Sequence, residues 1–221
     1  QVMSPIDFEM AQLLHESLIT NGVSLHLGDA VESFHDVVGG VDIKLKSGST
    51  VSAELVILSI GVRPNGQLAK EAGLAVNARG GIVVNDHMLS SDPSIYAVGD
   101  VIEVEDFISK ERTMIPLAGP ANKQGRIAAD NIAGLDASYS GTQGSSIAKV
   151  FDLTVASTGE NEKTLVKRGL VKGKDFESII ITQNNHASYY PGAVPMTLKL
   201  LFTSDGKKIL GAQIVGRDGV D

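Results

Sequence analysis

The stretch SSDPSIYAVGD, Ser90 to Asp100, closes an apolar run with a glycine and an acid. Ile95 to Val98 predicts a short buried strand, and Gly99-Asp100 stand at its carboxyl end. In open α/β sheets, ligands bind just beyond the carboxyl ends of strands. Gly99 would let a backbone or a ligand approach closely. Asp100 can accept two hydroxyl hydrogen bonds, which suits a polyol or a ribose. The competing reading is that Asp100 caps the segment after it.

The flanking sequence supports an α/β frame. SPIDFEMAQLLHESLITNG predicts a helix with Ser4 as N-cap, Pro5 as its first residue and Asp7 three positions after the cap. Met10, Leu14 and Leu18 mark its apolar face, and Gly22 ends it. Val23 to Leu27 alternates as a strand. VDIKLKSGSTVSAELVILSIG predicts a hairpin turning at Ser47-Gly48, then a strand from Leu55 to Ile60. That second strand is almost continuously apolar, as a strand covered on both faces would be. GVRPNGQLAKEAGL is rich in turn residues, carries a short helical piece and marks a domain boundary. GGIVVNDHMLSSDPSIYAVGD predicts two short strands.

PLAGPANKQGRIAADNIAG predicts a second helix, opened near Pro120 and closed by Gly134. Its small residues (Ala118, Ala121, Gly125, Ala128 and Ala129) allow close approach to its surface. From Gly141 onward the pattern is SIAKVF, TVAST, ESIIIT, MTLKLLF and KILGAQIV, a mostly antiparallel α+β unit. Its last two strands flank a turn at Ser204-Asp205-Gly206-Lys207. The expected divisions are residues 1–66, 67–140 and 141–221.

Composition narrows the function. The 221 residues are 43% hydrophobic, include 24 glycines and carry a net charge of −7. No basic block is present, which argues against nucleic acid or an anionic membrane as partner. No apolar run has the length of a membrane span. A soluble, cytoplasmic protein is the default expectation. The chain has no cysteine, so it supplies no disulfide, no thiolate metal site and no cysteine nucleophile. Its five histidines do not pair at metal-ligand spacing, and no metal site is expected. Gln1 and Asp221 both fall in mid-pattern, so the chain is expected to be a piece of a longer protein.

SSDPSIYAVGD resembles the second FAD-binding motif of the pyridine nucleotide-disulfide oxidoreductases. The resemblance implies that Asp100 bonds a ribitol hydroxyl of FAD, beside Gly99. VILSIGVRPN resembles the strand-turn segment near the end of that family's NAD(P)H domain, which would put Gly61 and Val62 at the nicotinamide half. IPLAGPANKQGR resembles the helix whose N-terminus faces the flavin pyrimidine edge, with Leu117 and Ala118 at that end. The placement has a physical reason: reduced flavin carries negative charge there, and a helix start offers free N–H groups and partial positive charge. The other reading of this helix is an Ala-rich face packed on a sheet.

GSSIAKVFDLTVASTGENEK, HASYYPGAVP and GAQIVGRDGVD resemble the dimerisation domain of the coenzyme A disulfide reductase and NADH oxidase branch. The resemblance implies a homodimer in which Tyr189 or Tyr190 reaches the partner's active-site cysteine; the sequence does not separate the two. The alternative is a pair of strand-edge tyrosines packed with Pro191. His15, His26 and His186 read as structural.

The implied fold is α/β: remnants of FAD- and NAD(P)-binding Rossmann-like domains followed by an α+β dimerisation domain. The implied activity is FAD- and NAD(P)H-dependent reduction of a disulfide such as coenzyme A disulfide, with coenzyme A as substrate or bound thiol. The alternative within the class is an NADH oxidase or peroxidase acting on oxygen or peroxide. Neither G-x-G-x-x-G fingerprint is present, and the family's redox cysteines would lie outside these residues. The isolated chain is therefore expected to be an inactive folded fragment.

Overall fold

The computed structural model describes residues 1–220. Among the described residues there are four helices, and eleven strands that form three sheets. The first sheet is antiparallel, in order β1 (Val31–Val37), β2 (Gly40–Leu45), β3 (Thr50–Ala53). Its second turn is the expected one at Ser47-Gly48, where Gly48 takes φ +91° and its N–H bonds the Leu45 carbonyl at 2.9 Å. Strand β1 was not legible in the sequence. The second sheet joins β4 (Ile82–Val83), β5 (Ile102–Glu105) and β6 (Arg112–Thr113), with β4 and β5 parallel. Helix α2 (Gln67–Glu71) is the short helical piece expected before it.

The third sheet has five antiparallel strands: β7 (Ser146–Val150), β8 (Leu153–Gly159), β9 (Phe176–Asn184), β10 (Pro195–Thr203) and β11 (Ile209–Gly216). They are the five strands read from the sequence, in spatial order β7-β8-β11-β10-β9. A fourth helix, α4 (Glu162–Lys167), interrupts them and was not expected; Asn161 caps it by accepting from the Thr164 N–H.

The two faces of this sheet differ. Helix α1 (Phe8–Thr20) covers one of them, burying Met10, Ala11 and Leu14 against Val155 and Val215. The register places Ile147, Ala156, Ile214, Leu198 and Ile181 in one row across all five strands. Side chains alternate along a strand, so this row lies opposite Val155 and Val215. Among the described residues no helix packs on it, and its edge residues Ile147 and Ile181 are exposed.

Under α1, Lys199 of β10 is completely buried. Its Nζ lies 2.9 Å from Asp7, 2.5 Å from Glu9 and 3.0 Å from Glu162. The Gln213 side chain completes the cluster: its Oε1 accepts from the Asp7 backbone N–H at 2.6 Å, and its Nε2 donates to Asp7 Oδ2 at 2.7 Å. This corrects the helix start. The N-cap position is Asp7, not Ser4, and Ser4-Pro5 form a turn. The buried pairing holds Asp7 in extended backbone, so the helix cannot begin before it.

Three expected strands are absent. Val23–Leu27 and Leu55–Ile60 have no strand pairing. A strand persists only in a ladder, and no described segment lies beside either one. Leu55, Ile57, Leu58 and Ile60 are all exposed. Ile95–Val98 makes only a single bridge, Tyr96 to Leu89.

Burial opposes ionisation of Glu162, but hydrogen bonds from Lys172, Ser178 and Lys199 outweigh it and hold the carboxyl at about 2. For Lys199, burial works against the charge, while hydrogen bonds to Glu9, Asp7 and Glu162 raise its pKa above the usual lysine value. Glu162 titrates lower folded than unfolded. Its stabilising contribution is therefore complete above the ordinary carboxyl value of 4.5 and disappears as pH falls toward about 2. Glu162→Gln should flatten the loss of stability across that window, read as the denaturant midpoint against pH. Lys199→Met, which leaves buried Asp7 without its cation, should destabilise the fold by about 3 kcal/mol in the same assay.

Candidate functional site

The Gly99-Asp100 turn is held from both sides by the second sheet's core. Before it, the Ala97 N–H bonds the Met88 carbonyl at 3.0 Å. After it, the Ile82 N–H bonds the Val101 carbonyl at 2.8 Å, and Ile102 lies buried among Ile82, Val84, Met88 and Val104. Gly99 adopts φ +86°, left-handed backbone that side-chain-bearing residues avoid. A Cβ built there meets nothing within 4 Å, so the turn borders open space. Asp100 is exposed. The hydrogen bond after the turn runs from the Ile102 N–H to the Gly99 carbonyl at 3.2 Å, a backbone contact that does not involve the Asp100 side chain.

Helix α3 (Ala118–Ile132) begins two residues before Pro120, with Leu117 as N-cap. Proline is tolerated in a first turn because the N–H it lacks has no intrahelical partner there. Leu117 offers no capping hydrogen bond, and the first turn carries no acid. Ala118 and Gly119 are exposed. The start of α3 thus presents free N–H groups and partial positive charge with no internal anion. A cleft of about 390 Å³ lies beside it, lined by Gly119, Pro120, Lys123, Tyr139 and Gln143 among others. A larger cleft of about 820 Å³ lies elsewhere, between α1 and the five-stranded sheet.

Gln124, which the sequence reading passed over, joins the two features. It lies on α3, is 1% exposed, and its Oε1 accepts from the Gly99 N–H at 2.8 Å. Gly99-Asp100 and Leu117-Ala118 are therefore brought into one unit. No signal in the sequence pairs positions 99 and 124.

The other expected site residues lie apart from this unit. Gly61 takes φ +96° with open space around it, and Val62 is exposed, both in the segment without regular structure. Tyr189 and Tyr190 lie in the β9–β10 loop, 87% and 65% exposed. Their rings are 5.8 Å apart, and His186 stands edge-on to Tyr190 at 6.3 Å. The loop is pinched at its base, where the Asn185 side chain accepts from the Val194 N–H at 3.0 Å. The tyrosines are thus held at the surface rather than packed into the sheet edge.

The arrangement is an α/β frame followed by a five-stranded antiparallel sheet unit. Residues 1–125 match the family described as pyridine nucleotide-disulphide oxidoreductase, and residues 145–221 match the dimerisation domain of that family. The chain belongs to the pyridine nucleotide-disulphide oxidoreductases. It is 36% identical over 219 residues to an NADH oxidase of Methanocaldococcus jannaschii, covering 97% of this chain and 46% of that protein. It is 31% identical over 217 residues to coenzyme A disulfide reductase of Staphylococcus aureus, covering 98% and 47%. The structure of reduced Bacillus anthracis CoADR-RHD superposes with a TM-score of 0.93 at 50% identity, over 99% of this chain and 38% of that one. The water-forming NADH oxidase of Lactobacillus brevis bound to NADH gives 0.90 at 32% identity, over 97% and 46%. The chain spans less than half the length of these relatives.

Proposed function

We propose that the chain contributes to an FAD- and NAD(P)H-dependent enzyme that reduces a disulfide such as coenzyme A disulfide. One observation carries the reading: the uncapped start of α3 and the open Gly99-Asp100 turn are bonded into one unit through Gln124. Those residues fit the flavin. The N–H groups of Ala118 and Gly119, directly after the Leu117 N-cap, suit an anionic ring edge, and the exposed Asp100 carboxylate suits ribitol hydroxyls. A bound FAD would supply the two-electron carrier between NAD(P)H and the disulfide.

The chain's own residues then have distinct tasks. Asp100 accepts hydroxyl hydrogen bonds and fixes the ribitol. The start of α3 stabilises negative charge by its oriented N–H groups. Gly61 and Val62 border the nicotinamide, where an exposed glycine backbone allows close approach. Tyr189 or Tyr190 donates its hydroxyl proton or a hydrogen bond to a thiolate in the partner subunit. The thiol lies outside these residues, since the chain has no cysteine. A homodimer formed over the uncovered row Ile147, Ala156, Ile214, Leu198 and Ile181 would bury that apolar face. The 31% identity to a coenzyme A disulfide reductase supports the disulfide as acceptor. The 36% identity to an NADH oxidase favours oxygen or peroxide as the second reading. Residues 1–66, 67–140 and 141–221 serve as the NAD(P)H, FAD and dimerisation parts of a cytoplasmic enzyme. Among the described residues, no helix is long and apolar enough to cross a membrane.

In the full-length protein, Asp100→Ala should weaken FAD retention by about tenfold, the scale of losing a strong hydrogen bond. Flavin fluorescence released on dilution measures it, and unchanged retention would refute the ribitol role. Replacing Tyr189 and Tyr190 together with Phe should leave flavin reduction by NADH intact and slow reduction of the disulfide. Stopped-flow absorbance separates the two half-reactions; wild-type rates in both would remove the tyrosines from the chemistry.

A further inference from the structure

We propose that Gln124 is a positioning residue of the flavin site, acting through Asp100. The inference rests on the FAD reading above. Gln124 is one of two residues that α3 buries, the other being Ala128. A carboxamide costs free energy in such a place unless it is hydrogen-bonded. An alanine or leucine would satisfy the apolar packing. The amide earns its position only through the 2.8 Å bond to the Gly99 N–H. Without that bond, the Gly99 N–H would lose the partner that ties the turn to α3.

The consequence for Asp100 is geometric. Gly99 at φ +86° is the pivot of the turn, and its N–H is anchored to the helix. Asp100 follows directly and is exposed, with its side chain free of the fold. Its placement relative to the start of α3 is therefore set through Gln124. Ala128 and Ile127 pack α3 into the same cluster as Ala97 and Val101, and the Gln124 bond is the polar link that fixes the turn itself against the helix.

The test is a double-mutant cycle in the full-length flavoprotein, using Gln124→Met, Asp100→Ala and the double variant. Gln124→Met keeps the length of the side chain and removes the acceptor. FAD dissociation is followed by flavin fluorescence, independently of turnover. Gln124→Met should weaken FAD binding about tenfold, and should add less than about twofold once Asp100 is already alanine. If Asp100→Ala weakens binding and Gln124→Met does not, the role of Gln124 falls while the FAD reading stands. If the two effects are fully additive, Gln124 serves the fold in general and the proposal also falls. If Asp100→Ala has no effect, the FAD reading fails and takes this role with it. Amide hydrogen exchange on the unmutated protein covers the case in which Gln124→Met does not fold. The Gly99 amide should be strongly protected, and exchange at the rate of an open loop would overturn the proposal.

Discussion

The cation of Lys199 is the constraint on which the packing of the two ends of the chain depends. A fully buried ammonium is tolerated only when carboxylates surround it. Here three come from two places: Asp7 and Glu9 at the start of α1, and Glu162 at the start of α4. The first residues are thereby fastened to a sheet built nearly two hundred positions later. Lys163 repeats the theme, donating to the Ser4 and Ile6 carbonyls at 2.8 and 2.7 Å. A second clamp joins the middle of the chain to the same sheet. Arg168 bonds both oxygens of Glu160 at 2.7 Å and Glu111 at 3.1 Å. The hydrophobic clusters supply area, and these charges specify which surfaces meet.

What could be read in the sequence follows from the range of the interactions involved. The five strands after Gly141 alternate locally and sit in one antiparallel sheet, so their pattern was sufficient. The turn at Ser47-Gly48 was legible for the same reason. The start of α1 was misplaced because Ser4-Pro5 has the local form of a cap, while Asp7 is drawn into a pairing with Gln213 and Lys199. Leu55–Ile60 reads as a core strand because its composition is apolar, but composition does not supply neighbours. Helix α4 is only six residues long and lies within a strand-rich stretch, which hid it.

The candidate site was legible in its ends and not in its connection. The glycine and acid after SIYAV, and the small residues at the start of α3, carry local signals. Gln124 carries none. Its meaning lies in a bond to a backbone N–H 25 positions earlier, and only the folded chain brings the two together. The tyrosines illustrate the reverse: the sequence allowed an edge-packed pair, whereas the fold leaves both rings in solvent.

The apolar segment from Leu55 to Val62 has a further consequence. It joins the hairpin sheet to α2 with its side chains exposed and its backbone outside every ladder. An unpaired apolar segment of this kind carries the N–H and C=O groups of a sheet edge, open to pairing with another strand. The residues that read most strongly as core are thus the ones that the described chain leaves without a ladder neighbour.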